Sequence, residues 1–545
     1  MAQKLRIIPL GGLGEIGKNM MMFEYGNNSL VVDAGLMFPE NDMLGIDYII
    51  PDFRYLLEKK DTVRGIIITH GHEDHTGAIK HIMGEIDAPV YATPLTRGLL
   101  EVKLKDARLL DRVTLQTIKA GDQVNIGPFG VEFFHICHSI PDGVGLGITT
   151  PAGLVVHSGD FKFDHTPVDG WPTDYAKLAE FSGRNVLALL SDSTNADKSG
   201  WTPSEAVIDP AFDQVFREAP GRILIATFAS LISRIQQVAN AADRHGRRMA
   251  LVGTSMVENA KMAQKLGYLE LPDGLQVGTD EALKMPPKKV VIMTTGTQGE
   301  PSSILGRLSE GRNRQFDLLD DDTVVLSSHP IPGNEEMVHR TINRLIQRGA
   351  HVIYDPIAPV HVSGHASAEE MKLLIHLVKP RNFVPVHGEL RHLTQHAAIA
   401  REMGIPEGNI AVVENGAVLE FENGRMSVGE RIPGGYVYVD GSGVGDIGPS
   451  VMRERESLAQ DGFVVVNLRV NKDSGRLLGK PEIISRGFVF VRDSEEMFAA
   501  AQERIAAVAA RANGSLREKV ETALAEFFYS EIKRRPMVFA LVNEV

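Results

Sequence analysis

Short apolar runs punctuated by glycine dominate the first 200 residues. The runs at 20–25, 30–33, 65–69, 90–93, 131–137, 154–157 and 186–190 are rich in Val, Ile and Phe and bounded by turn residues, which predicts a β-strand for each. Helices are predicted at 77–83 and 94–104. Past residue 200 the rhythm changes. Thr202-Pro203-Ser204-Glu205 has the form of a capping box with proline in the first turn and predicts a helix start. Strands at 222–227, 249–252, 290–294, 324–327 and 351–354 then alternate with helices at 231–245, 255–266 and 334–348, the pattern of a parallel α/β sheet. Ser367-Ala-Glu-Glu370 opens another capped helix, and a strand follows at 382–386. The glycine-rich stretch 433–449 reads as a linker. Beyond it, strands at 462–470 and 483–491, helices at 494–512 and 515–533 and an apolar strand at 537–542 predict a small α+β domain.

A length of 545 residues implies about three to four domains at roughly 100–200 residues each. The net charge of -13 excludes the simplest nucleic-acid binder, a uniformly basic protein. The charge is unevenly spread, however. Residues 206–350 carry 17 Lys+Arg against 17 Asp+Glu, so the remaining 40 basic and 53 acidic residues account for the whole excess. Twelve of those 17 basic residues are Arg, the side chain suited to bidentate phosphate contact. The single cysteine, Cys137, excludes a disulfide framework and a CxxC zinc site. With no secretory apolar region and no run of about 18 apolar residues, a soluble, cytoplasmic protein without membrane attachment is expected.

The densest chemical signal is Thr69-His70-Gly71-His72-Glu73-Asp74-His75, directly after the apolar run 66–68. Neutral imidazole offers a nitrogen lone pair near pH 7, and aspartate adds an anionic oxygen, so this spacing points several metal ligands at one small volume. His138, Asp160 and His387 each follow a predicted strand and Asp33 closes one, so ligands from several strand ends can converge. Taken singly, each also has a structural reading as a turn cap or a satisfied core histidine. Gly12-Leu-Gly14-Glu-Ile-Gly17 matches a dinucleotide fingerprint in letters only, because a hairpin follows it where the fingerprint requires a helix.

The array Asp33, His70-x-His72-x-Asp74-His75, His138 and Asp160 resembles the metallo-β-lactamase superfamily. Leu190-Ser-Asp192-Ser-Thr-Asn, His361-Val-Ser-Gly-His365 and Pro385-Val-His387-Gly-Glu resemble motifs A, B and C of the β-CASP nucleases. With GGLGEIGKNM, FASLISRIQQ, TTGTQGEP and SSHPIPGNE, the whole chain is similar to the bacterial ribonuclease J family. The resemblance implies an α/β architecture: a metallo-β-lactamase αβ/βα sandwich (1–205 and 351–432), an inserted β-CASP α/β domain (206–350), the linker 433–449 and a C-terminal α+β domain (450–545). It implies that His70, His72 and His138 hold one divalent metal, Asp74, His75 and His387 a second, and Asp160 both. Zinc is the first expectation for the pair, and manganese tolerates the same ligands.

The implied reaction is metal-dependent RNA maturation and decay, in which a two-metal-activated hydroxide attacks the phosphodiester. The implied activities are 5′-to-3′ exonucleolytic, favouring 5′-monophosphate RNA, and endonucleolytic. Motif C supports an RNA substrate, since DNA-processing relatives resemble one another in having valine where His387 stands. His365 is implied as proton donor or transition-state stabiliser. Asp160 and Asp74 are placed in the catalytic machinery, and Asp192 with them as an orienting carboxylate. His361, Val362, Ser363, Gly364 and His365 would contact substrate phosphate, with Ser230 as a further phosphate contact at a helix start. The expected partners are single-stranded RNA, including rRNA precursors and mRNA, and further copies of the chain, as a dimer or tetramer through the tail. A small-molecule hydrolase and a non-catalytic scaffold are the competing readings. The extra α/β domain speaks against the first, and the intact ligand set against the second.

Overall fold

In a computed structural model, residues 3–40, 42–331, 333–489, 494–511 and 515–545 are described. They fall into two compact units, Met1–Phe38 with Tyr48–Val437, and Pro39–Asp47 with Tyr438–Val545.

Two sheets form the base of the larger unit. One has eight strands, in the order Arg425–Arg431, Ala417–Glu422, Leu5–Gly11, Met20–Tyr25, Asn28–Val32, Val63–Ile67, Val90–Ala92 and Leu115–Thr117. The other has six, from Asn382–Val386 through Ala188–Asp192, Gly153–His157, Val144–Thr150 and Phe129–His135 to Gln123–Ile126. Their inner faces meet in a core that includes Leu5, Phe23, Val32, Phe129, Phe133, Leu146 and Val384. Each such side chain, once buried, contributes about 1.5–3 kcal/mol. The helices Tyr175–Ser182, Ala368–Val378 and Leu390–Glu402 cover the outer face of the six-stranded sheet. Helices outside and sheets inside make the αβ/βα sandwich. Met20–Tyr25 and Asn28–Val32 form an antiparallel hairpin, as the reading of the glycine-rich start required.

The insert is a five-stranded parallel sheet, ordered Arg248–Leu251, Val290–Thr294, Ile223–Ala226, Thr323–Leu326 and His351–Tyr354. Helices Ile208–Glu218, Ile232–Arg244 and Thr254–Leu266 pack on one face and Ile304–Ser309 and Glu335–Gln347 on the other. Val324 pairs with Val352, so His351–Tyr354 completes this sheet and the insert does not end at residue 350. The capping box at 202–205 does not form. Thr202 N–H donates to the Glu370 carboxylate, and Ser204 instead caps a 3₁₀ turn that leads into Ile208–Glu218. The second box does form, with Ser367 and Glu370 capping Ala368–Val378. The predicted helix 77–83 is two short turns, Glu73–Thr76 and Ile79–Ile82.

In the smaller unit the strands Glu482–Arg486, Phe463–Val470 and Met537–Glu544 carry the helices Glu495–Ala510 and Leu516–Ile532 over a core of Val464, Val466, Leu468, Leu524 and Phe528. The stretch 433–449 is not a plain linker, since Tyr436–Asp440 and Gly443–Val444 are strands, and an unpredicted helix follows at Pro449–Asp461. Predicted positions 490–491 and 512, and Pro332 of the SSHPIPGNE motif, lie outside the described residues. Among the described residues no helix is long and apolar enough to cross a membrane.

Candidate metal centre

Strand ends build the centre. Asp33 follows Asn28–Val32 in a left-handed conformation, φ 64°. Its carboxylate accepts the Thr69 N–H at 2.8 Å and the Thr69 O–H at 2.9 Å, and holds His75 Nδ1 at 2.8 Å. Asp33 thereby ties the loop 69–75 to the sheet. Parallel pairing of Asp192 with Val386 sets motif A beside His387, which also has positive φ, 52°. Such strain in non-glycine residues costs about 1–3 kcal/mol each and persists where surrounding structure over-determines it. Asp160 lies three residues past His157, at the end of the adjoining strand.

The structure brings these side chains into two clusters, His70, His72 and His138 in one, and Asp74, His75, Asp160 and His387 in the other. His72 Nδ1 lies 3.2 Å from His70 Nε2 and 3.1 Å from His138 Nε2. Tetrahedral ligands on a cation with bonds of about 2.0–2.1 Å sit roughly 3.3 Å apart, so this spacing fits three nitrogens on one ion. The outer contacts agree. His138 Nδ1 donates to the Gly364 carbonyl at 2.8 Å and His70 Nδ1 faces Thr69 Oγ1 at 3.1 Å, which leaves each Nε2 as an inward lone pair. Asp160 stands between the clusters, with Oδ2 at 3.1 Å from His75 Nε2 and 3.7 Å from His70 Nε2, and Oδ1 at 3.0 Å from His387 Nδ1. His387 Nε2 is buried without a hydrogen-bond partner and lies 3.3 Å from Asp74 Oδ2. That orphaned nitrogen beside a carboxylate is a further fit to a cation.

Electrostatics separates the two clusters. Burial, with His75 nearby, holds His70 well below the usual imidazole range and lowers His72 to about 4. His138 is likewise pushed well down by burial and by His72 and His365. These three are neutral donors. At the second cluster burial opposes charge, but Asp160, Asp74 and Asp33 raise His75 well above its ordinary value, and Asp160 does the same for His387. Asp74 and Asp160 are held ionised, against their burial, by His75 and His387. A cation held there would need His75 and His387 neutral, so binding it would release their protons.

His365 lies at the edge of the centre. Its Nδ1 is 2.8 Å from Asp192 Oδ2, and its ring packs against those of His138 and His387. Asp192 outweighs burial and raises His365. Within the 361–365 loop, Ser363 Oγ already accepts from His365 N–H and from Asn195 Nδ2, so only its own proton is free for a phosphate. Val362 is buried in the core of the insert, and His361 is half-buried with its enclosed Nδ1 unpaired. Gly364 acts through its carbonyl, and a Cβ there would meet the His138 ring at 2.7 Å. Ser230 is not a helix cap, because Leu231 holds that position and makes no side-chain cap. Ser230 instead lines a cleft of about 540 Å³, with Gly71 and Glu73 among its other lining residues and Thr254 and Ser255 from the insert.

Three contributors escaped the sequence reading. Asn19 Nδ2 reaches His75 Nε2 at 3.1 Å, and Asn195 and Thr202 both donate to the His365 carbonyl. Asn19 sits within the GGLGEIGKNM segment, which marked a family without marking a role.

Family models match four stretches of the chain: metallo-beta-lactamase superfamily over 13–203, ribonuclease J beta-CASP domain over 220–345, Zn-dependent metallo-hydrolase RNA specificity domain over 349–410, and ribonuclease J C-terminal domain over 450–545. The chain is 41% identical to ribonuclease J2 of Bacillus subtilis over 550 aligned positions, covering 100% of this chain and 99% of that one. It is 43% identical to ribonuclease J of Synechocystis, over 99% of this chain and 87% of the relative, and 40% identical to ribonuclease J of Thermus thermophilus, over 99% and 95%. A solved structure of a protein of unknown function from Enterococcus faecalis shares the fold, with a TM-score of 0.54, 16% identity and coverage of 76% of this chain and 100% of that one.

Proposed function

This chain belongs to the ribonuclease J family of metal-dependent ribonucleases acting on RNA, and from that premise we propose that it degrades and matures single-stranded RNA 5′-to-3′, favouring 5′-monophosphate ends, with endonucleolytic cuts as well. The observation that carries this reading is the pair of ligand clusters with Asp160 between them, beside a cleft shared with the insert. His70, His72 and His138 would hold one divalent cation and Asp74, His75 and His387 another, with the Asp160 carboxylate standing between the two sets. Zinc suits the histidine-rich set, with manganese as the alternative. When bound, the cations supply an acidified water as nucleophile and offset phosphate charge.

The remaining steps belong to the chain. As the new P–O bond forms in line and the bond to the 3′-oxygen breaks, that oxygen needs a proton. Asp192 fixes the His365 ring through Nδ1, leaving Nε2 to give it. The Ser363 hydroxyl and the cleft residue Ser230 offer O–H donors to substrate phosphates, and His361, Val362 and Gly364 hold the shape of that loop. His365→Ala is expected to lower kcat by about 10²–10⁴-fold while the metal content stays at the wild-type value.

A degradation time course on 5′-monophosphate and 5′-triphosphate RNA, with metal analysis of the same preparation, tests the whole reading. Faster loss of the monophosphate RNA with about two metal equivalents per chain supports it. Hydrolysis of small thioesters with single-stranded RNA spared overturns it.

A further inference from the structure

The arginines of the insert are mostly not available to a ligand. Arg222 is buried against Asp322, Arg234 against Glu205, and Arg247 donates to the carbonyls of Gly221 and Ala219. Arg244, Arg340, Arg344 and Arg348 pair with Asp213, Glu336, Glu310 and Asp317. Of the remaining guanidinium groups, Arg307, Arg312 and Arg314 line one place. The cleft that begins at Gly71 ends on Ser302 and Arg307, and those same two residues open a second cavity of about 670 Å³. Its wall continues through Arg312, Asn313 and Arg314, with no carboxylate among the residues that line it. Arg307 donates to the Ser302 carbonyl, Arg312 pairs with Glu310 outside the cavity, and Arg314 makes no ion pair among the described residues.

Resting on the ribonuclease reading above, we propose that this second cavity is a backbone subsite for single-stranded RNA. The strand runs from the metal centre through the cleft, past Arg307, and onto Arg312 and Arg314. The chemistry is that of a polyanion tracked by a few separated guanidinium groups, with Asn313 and Gln315 as neutral donors beside them. An acidic chain can bind RNA in this way, because the lining of the second cavity carries arginines and no carboxylate.

The experiment measures binding by the full-length, metal-loaded chain to a phosphorothioate RNA of about 20 nucleotides and to a trinucleotide, across a salt series. Arg314→Ala, and the double variant Arg312→Ala with Arg314→Ala, are compared with Arg217→Ala, an exposed insert arginine outside both cavities. For a single strand, each phosphate that is no longer neutralised reduces the slope of log K against log salt by about 0.7, so the slope for the long RNA is expected to fall by that much per arginine removed. The trinucleotide is expected to lose less affinity than the long RNA, and Arg217→Ala to keep the wild-type slope. Thermal melting checks that each variant folds. A double variant with the wild-type slope, or an equal loss for both RNAs, overturns the proposal while leaving the ribonuclease reading intact. Failure of the wild-type chain to bind either RNA overturns both.

Discussion

Gly364 shows how closely the centre is fitted. The glycine's carbonyl accepts from His138 Nδ1, and its Cα faces the same ring so closely that a Cβ would sit 2.7 Å from ring atoms and 2.8 Å from Ser139 N. The neighbour on that side is a ligand ring and a backbone amide, neither of which has a free direction to move. Gly364→Ala is therefore expected to displace His138 and lower metal content at the three-histidine cluster. A displacement of about 1 Å costs on the order of 100-fold in rate. Metal analysis and kcat on RNA, with circular dichroism showing an intact fold, check it. Wild-type metal content and rate would show that the loop yields instead. Asp33 and His387 take the opposite approach to the same end, since each holds positive φ without being glycine. Their side chains are the reason, one gripping Thr69 and His75 and the other facing Asp160.

At the scale of elements, the helix Leu390–Glu402 contributes a buried titratable group outside the centre. His396 is fully enclosed, with Nδ1 at 3.0 Å from Ser193 Oγ, its ring edge on Phe383, and Nε2 unpaired. Burial lowers it from 6.5 to about 3, so the folded chain keeps it neutral where the unfolded chain protonates it. The stability it supports is complete above pH 6.5 and is lost as pH falls toward 3. His396→Leu removes that dependence. Between pH 7 and 5 the wild type should lose about 2 kcal/mol more than the variant in denaturant melts. Parallel loss in the two proteins would show that the ring titrates freely. Strand ends of the catalytic unit were legible because apolar runs stop abruptly at polar residues, and the ligand residues of the 70–75 loop are neighbours in sequence. Asn19 was not legible, because its backbone N–H meets the Asp74 carbonyl only after distant strands pair. The helix Pro449–Asp461 was missed for another reason. None of its residues is buried, so it carries no apolar stripe to read.

For the whole molecule, arginine count is a poor guide to where RNA binds. Residues 206–350 are neutral in sum and rich in arginine, yet most of those guanidinium groups bind the insert to itself, and Arg234 joins Glu205, Gln237 and the Val360 carbonyl in one buried network. The smaller unit presents the complementary case, an apolar surface where solubility would favour charge. Its sheet buries Val464, Val466, Leu468 and Ala540 on one face. Alternation along the strands then turns Phe463, Val465, Ile484, Phe539 and Leu541 outward. Cross-strand register sets Val465 between Ile484 and Phe539, with Leu541 beside Asn467, so these side chains form a continuous patch. Ile484, Phe539 and Leu541 are exposed. Contiguous apolar patches of this kind mark interaction sites, and a second copy of the chain, joined through the tail, is the partner we propose for this one. Leu541→Glu puts a charge at the edge of the patch and touches no core residue, so the variant is expected to fold and to show a lower native mass by light scattering than the wild type at the same concentration. An unchanged mass would overturn self-association through this patch.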